Sequence, residues 1–213
     1  KNCVFHTSFC VEHRYCLKQY VQYPDMIPSD VKNEAFWQAL TPKSFKLAMG
    51  RKRTHETRFR FATRGEMLSN LQDLKKVRDI ALECPDIEFW LPTRAWRSDV
   101  MRWAIKHYLQ PLPNVHVLAS VDPSNLTNAW ETADPTDPNL KLDMSQVEML
   151  ASEGFSIMFF GWDHQPLVQA IAKASGFEYV ACSKTWEHKK AACRDCDNGC
   201  FQTHQKRVFI HLK

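Results

Sequence analysis

The stretch FSIMFFGWDHQPLVQAIAKASGFEYVAC, residues 155–182, decides the fold. FSIMFFGWD (155–163) is a nearly continuous apolar run, and a strand of that kind is buried on both faces, as in a parallel sheet flanked by helices. PLVQAIAKASG (166–176) then reads as a helix, with Pro166 in its first turn and Gly176 past its end. FEYVAC (177–182) reads as a final short strand that runs directly into the cysteine tail. Strand, helix, strand in this order is a βαβ unit.

The same alternation extends upstream. NVHVLASV (114–121) reads as a strand and QVEMLASEG (146–154) as a helix stopped by Gly154, with a Pro- and Asp-rich excursion over 122–144 before it. IEFWLPT (87–93) is a strand and RSDVMRWAIKHYL (97–109) a helix that Ser98 can cap. FRFAT (59–63) is a short strand. MLSNLQDLKKVRDIALE (67–83) has apolar residues at 68, 71, 74, 77, 80 and 81, the spacing of an amphipathic helix. A helix SDVKNEAFWQAL with Ser29 as N-cap and a short helix over 11–23 precede it. Five or six units fall short of an eight-unit barrel. The expected fold class is therefore α/β: a partial (β/α) barrel or an open, mainly parallel sheet. One domain over 1–213 would carry a Cys-rich N-terminal segment, 1–23, and a C-terminal metal-binding tail, 182–213.

Composition narrows the classes. Apolar residues at 44% and charged residues at 24% suit a globular core, and only 6 glycines leave little room for flexible linkers. No apolar run approaches about 18 residues, so no membrane span is expected. KNCVFHTSFC carries no apolar stretch of secretory type, so a cytoplasmic location is expected. In that setting 8 cysteines point to metal rather than disulfides. A net charge of +4 permits a nucleic-acid partner without demanding one. The densest basic stretch, KLAMGRKRTHETRFRF (46–61), reads as a solvated loop before a strand or as a phosphate-facing surface. Trp90, Trp96, Trp103 and Phe59 stand at core-like spacings.

In parallel sheets ligands sit at the carboxyl ends of the strands. The residues there are Thr63, Arg64, Gly65 and Glu66; Thr93 and Arg94; Ser120 and Asp122; Gly161, Trp162 and Asp163. Glu66, Arg94 and Asp163 are the candidate catalytic groups, and Gly65, Glu66, Arg94 and Ser120 the candidate cofactor contacts. For each of these alone, turn and cap chemistry is the competing explanation.

The cysteines fall into two clusters. At the C-terminus Cys182, Cys193, Cys196 and Cys200 are separated by ten, two and three residues. Four soft thiolates suit an iron–sulfur cluster, such as 4Fe–4S, or a tetrahedral zinc. Spacing alone does not choose between them. Lys184, Lys189, Lys190 and Arg194 would offset the thiolate charge. At the N-terminus Cys3, Cys10 and Cys16 are separated by six and five residues. Three cysteines leave one iron open to a substrate or cofactor, unless His6 or His13 supplies a fourth ligand. Cys84, in LECPDIEF, reads as a core or helix-end residue.

CVFHTSFCVEHRYC, FRFATRGEM, CPDIEFWLPTRAW and the cysteine run followed by KRVFIHLK together resemble the phage and plasmid family called gene product 88, which is similar in pattern to radical-SAM iron–sulfur proteins. The resemblance implies a radical-SAM-like partial barrel, an N-terminal cluster on Cys3, Cys10 and Cys16, a second cysteine-bound centre near the C-terminus, and the cytoplasm of an infected host. It places Gly65 and Glu66 on the turn that holds the amino group of S-adenosylmethionine. Thr93 and Arg94 match the strand-end pair, and Arg94 would meet the carboxylate of that cofactor. The cysteine gaps differ from the C-x3-C-x2-C loop of radical-SAM enzymes, and the turn has one glycine where theirs has two. Two function classes follow: a redox or radical enzyme of unknown substrate, or a metal-stapled phage protein that binds nucleic acid or protein without catalysis.

Overall fold

The computed structural model describes residues 27–50 (side chains from 31), 57–61, 66–182, 199–204 and 206–212. Six strands form an open parallel sheet in the order β1-β2-β3-β4-β6-β5. They are β1 (Arg58–Arg60), β2 (Glu88–Thr93), β3 (Val115–Val121), β4 (Ser156–Phe160), β5 (Glu178–Ala181) and β6 (Val208–Leu212). The helices are α1 (Ile27–Ala39), α2 (Pro42–Gly50), α3 (Leu71–Glu83), α4 (Asp99–Tyr108), α5 (Ser145–Ser152) and α6 (Gln165–Ala174). A sequential partial barrel would place the last strand at the edge. Here β6 lies inside, between β4 and β5, so the open sheet is the alternative that holds. FEYVAC is accordingly not the final strand. VFIHL at 208–212 is, and its first four residues are buried.

Contacts divide the chain into two compact units, 1–89 with 95–115, and 90–94 with 116–213. In the first, an aromatic cluster forms the core: Phe61 stacks on Phe89 at 5.2 Å, and Phe59 meets Phe45 edge-on at 5.1 Å. Helix α1 begins at Ile27, not at a cap on Ser29, which lies inside it; Pro28 suits a first turn. Residues 46–50 of the basic stretch are helical, not loop. Thr41 and Ser44 explain this: the Ser44 N–H donates to Thr41 Oγ1 (3.1 Å) and the Thr41 N–H to Ser44 Oγ (2.9 Å), a reciprocal cap that starts α2. Helix α3 starts at Leu71 rather than 67 because Asn70 caps it through the Asp73 N–H. Its C-terminal carbonyls at Ala81 and Cys84 accept from the Asn114 side-chain amide, each at 3.0 Å. Ser98 caps α4 as expected. Trp103 corrects the reading of the tryptophans: Trp90 and Trp96 are buried, but Trp103 is exposed, because it falls opposite the Met101, Ala104 and Ile105 stripe of α4.

In the second unit α5 and α6 connect β3 to β4 and β4 to β5, always stepping the same way along the sheet. Right-handed crossovers place both helices on one face. From β5 the strand order steps back to β6, which lies between β5 and β4. Trp90, Leu118, Met158, Val208 and Ile210 form one apolar cluster, and Cys182, Cys200 and Phe201 pack against it. Met158 pairs in register with Ile210, so these side chains share a face. Phe159 and Phe209, one residue out of phase, stack at 5.8 Å on the other. Strand β4 stops at Gly161, whose φ of 138° an L side chain rarely adopts. No described helix is long and apolar enough to cross a membrane.

Candidate functional site

Polar groups collect at the carboxyl ends of β2 and β3 in the second unit. Arg94, the residue after β2, donates from Nη1 to Asp122 Oδ2 at 2.7 Å, and the two side chains are 7% and 0% exposed. The guanidinium lies over the Phe160 ring, 4.5 Å from its centre. Asp122 follows β3 and caps the 3-10 turn Pro123–Asn125; its Oδ1 accepts from the Ser124 N–H (3.0 Å) and hydroxyl (2.6 Å), while its own N–H donates to Asn125 Oδ1 (3.0 Å). Both carboxylate oxygens are thus engaged. Ser120 and Thr93 are buried beside this pair in sequence, at the ends of the same strands. Arg94 therefore has a carboxylate partner within the chain.

The remaining predicted site residues are distributed as follows. Asp163 follows the β4 end and is exposed. Glu66 belongs to the first unit, where its Oε1 accepts from the Leu68 N–H at 2.9 Å, a local turn contact. Gly65, Thr63 and Arg64 lie outside the described residues, as do Cys3, Cys10, Cys16, Cys193, Cys196, His6 and His13 and the helix expected over 11–23. Among the described residues no group of three or more His, Cys, Asp or Glu is arranged to hold a metal. Of the tail cysteines two are described. Cys182 leaves β5, its N–H donating to the His211 carbonyl at 3.0 Å, and Cys200 begins the approach to β6; both are half-buried against the same apolar cluster. Cys84 is buried at the end of α3, and burial pushes its thiol pKa up.

Sequence reasoning passed over two buried histidines. His211 on β6 donates from Nε2 to the Trp162 carbonyl at 2.8 Å, so its Nδ1 accepts from the Tyr179 hydroxyl at 3.2 Å. Burial holds its pKa below the ordinary histidine value, against the opposing pull of the Trp162 carbonyl and Asp163. His116 on β3 meets Thr203 Oγ1 at 3.0 Å through Nδ1, and its ring lies 4.7 Å from that of His204. Only the return of the chain over the sheet creates these contacts; the sole sequence signal was a lone histidine inside each apolar strand.

A sequence profile of the family described as gene product 88 matches residues 1–202, a span that holds every cysteine of the chain. The chain belongs to the gene product 88 family. No curated protein and no solved structure matches it. In this gene product 88 protein the second unit thus carries the strand-end ion pair of Arg94 and Asp122, the buried His116 and His211, and Cys182 and Cys200 against one apolar cluster.

Proposed function

We propose that this gene product 88 protein is an iron–sulfur protein whose Cys182, Cys193, Cys196 and Cys200 hold one centre. The supporting observation is that Cys182 and Cys200, the outer members of the run, reach the same apolar cluster from opposite ends of the return crossover. Cys182 reaches it beside His211, near the carboxyl end of β6, and Cys200 beside Gly199, which abuts Val208 at the amino end, with Cys193 and Cys196 between them in sequence. Thiolate donors in apolar surroundings suit a soft metal centre, and the lysines of the segment offset its charge. A four-thiolate iron–sulfur group supplies one-electron exchange and, being fully ligated, offers no open position for a substrate. Cys182, Cys193, Cys196 and Cys200 would hold it, and the apolar cluster of Trp90 and Met158, against which Cys182, Cys200 and Phe201 pack, would limit the access of water to the first and last of these ligands.

The test is metal and sulfide analysis of protein prepared without oxygen. Iron with acid-labile sulfide and visible charge-transfer absorption is expected, with Cys196→Ser and Cys200→Ser each losing most of it. Cys84→Ser is the control that retains it. Zinc without sulfide would replace the iron reading, and wild-type protein without bound metal would reject the centre.

A further inference from the structure

Helix α4 buries Met101, Ala104 and Ile105 and turns Val100, Trp103 and His107 outward. Trp103 remains 54% exposed although its ring stacks on His107 (centroids 4.3 Å, 25° between planes) and meets Tyr108 edge-on at 5.7 Å. The Tyr108 ring is itself exposed, and Arg78 of α3 reaches over it at 5.9 Å. Over residues 95–108 the cations are Arg97, Arg102 and Lys106; the lone carboxylate, Asp99, is bound by Arg102 at 2.8 Å. The surface thus combines open aromatic rings with an excess of positive charge, all on rigid helix within the first unit.

We propose that this α3–α4 surface binds single-stranded nucleic acid. An unpaired base has a free π-face to lay on Trp103, whose other side is backed by His107, and stacking of this kind tolerates any base. Lys106, one turn on, and Arg78, beside Tyr108, stand where the flanking phosphates would run. A duplex keeps its bases stacked inside and offers the rings nothing. A protein partner would use the same aromatics, but the face of α4 around Trp103 carries Arg97, Arg102 and Lys106 against the single carboxylate Asp99, which Arg102 already binds, and that charge suits a phosphate backbone better. The inference is independent of the metal centre, since it uses none of the same residues.

Fluorescence anisotropy of a labelled oligothymidylate, alone and annealed to its complement, tests it on the full chain. Expected is saturable binding of the single strand at low salt, with a log–log salt slope of about −1.4 to −2.1 for two or three phosphates. Trp103→Ala weakens binding roughly ten- to hundredfold, Trp103→Phe restores most of it, and Lys106→Glu weakens it and flattens the slope. Both positions are exposed, and matched thermal melts show that the fold is intact. No binding at low salt, binding that Trp103→Ala leaves unchanged, or a duplex bound as tightly as the single strand would each overturn the proposal.

Discussion

Arg94 and Asp122 show what a single pair of side chains does at a strand end. Taking both charges out of water is costly, and their attraction offsets that cost only while both are present. Asp122→Ala leaves a buried guanidinium without its carboxylate and should destabilise the protein by about 3–5 kcal/mol, whereas Arg94→Met with Asp122→Leu should cost only the lost cap of the Pro123–Asn125 turn, about 0.5–2 kcal/mol. Urea midpoints of the two singles and the double close the cycle; equal losses for single and double would reject this account of the pair. Both residues were visible in the sequence as strand-end polar groups, but not as partners, since they are 28 positions apart. His211 yields a pH prediction. Its pKa in the folded protein lies below the unfolded value, so the unfolded chain binds the extra proton first. Its contribution to stability is therefore complete above about pH 6.5 and is lost as pH falls from there through the folded pKa. Between pH 7 and 5 the urea midpoint of the wild type should fall more steeply than that of His211→Gln, and parallel curves would remove His211 as the cause.

Among the elements, β6 has the most consequence. It pairs with β4 through Ile157–Phe209 and with β5 through Tyr179–Phe209, so it fills what would otherwise be two open edges. It arrives there from the segment that bears the tail cysteines. If those cysteines share a metal centre, metal and strand are linked, because a ligand set formed only in the folded state adds its binding energy to folding. Chelation should then raise amide exchange across 208–212 and the facing 156–160, while α3 in the other unit keeps its protection. Metal loss without any change at 208–212 would separate the centre from the strand. The element pattern was largely legible: the strands at 87–93, 114–121, 155–163 and 177–182 and their helices follow from apolar period and end signals. Helix α2 escaped, hidden in a basic stretch because its start depends on the mutual cap of Thr41 and Ser44; the strand in KRVFIHLK was legible only through the family resemblance, and its place inside the sheet was not legible at all.

For the molecule as a whole, the sequence determined the α/β class. Buried parallel strands must be apolar along their whole length, and crossover helices must carry one apolar stripe; both patterns are written locally, residue by residue. The spacing of the cysteines is what suggests soft-metal chemistry, and all of them lie within residues 1–202, the span that matches the gene product 88 family. Strand order was another matter. Whether the last strand adds at the edge or enters between β4 and β5 depends on which edge offers pairing and burial once the others have formed, and no local period encodes that choice. The same holds for the apolar cluster that Cys182, Cys200 and Phe201 pack against, and for the ion pair of Arg94 with Asp122. Exposure of Trp103 could be read only from the phase of α4 against its neighbours, since an outward tryptophan and an inward one look alike in sequence. Local patterns set the kinds of elements; long-range packing, where distant residues compete for the same buried surface, set their arrangement.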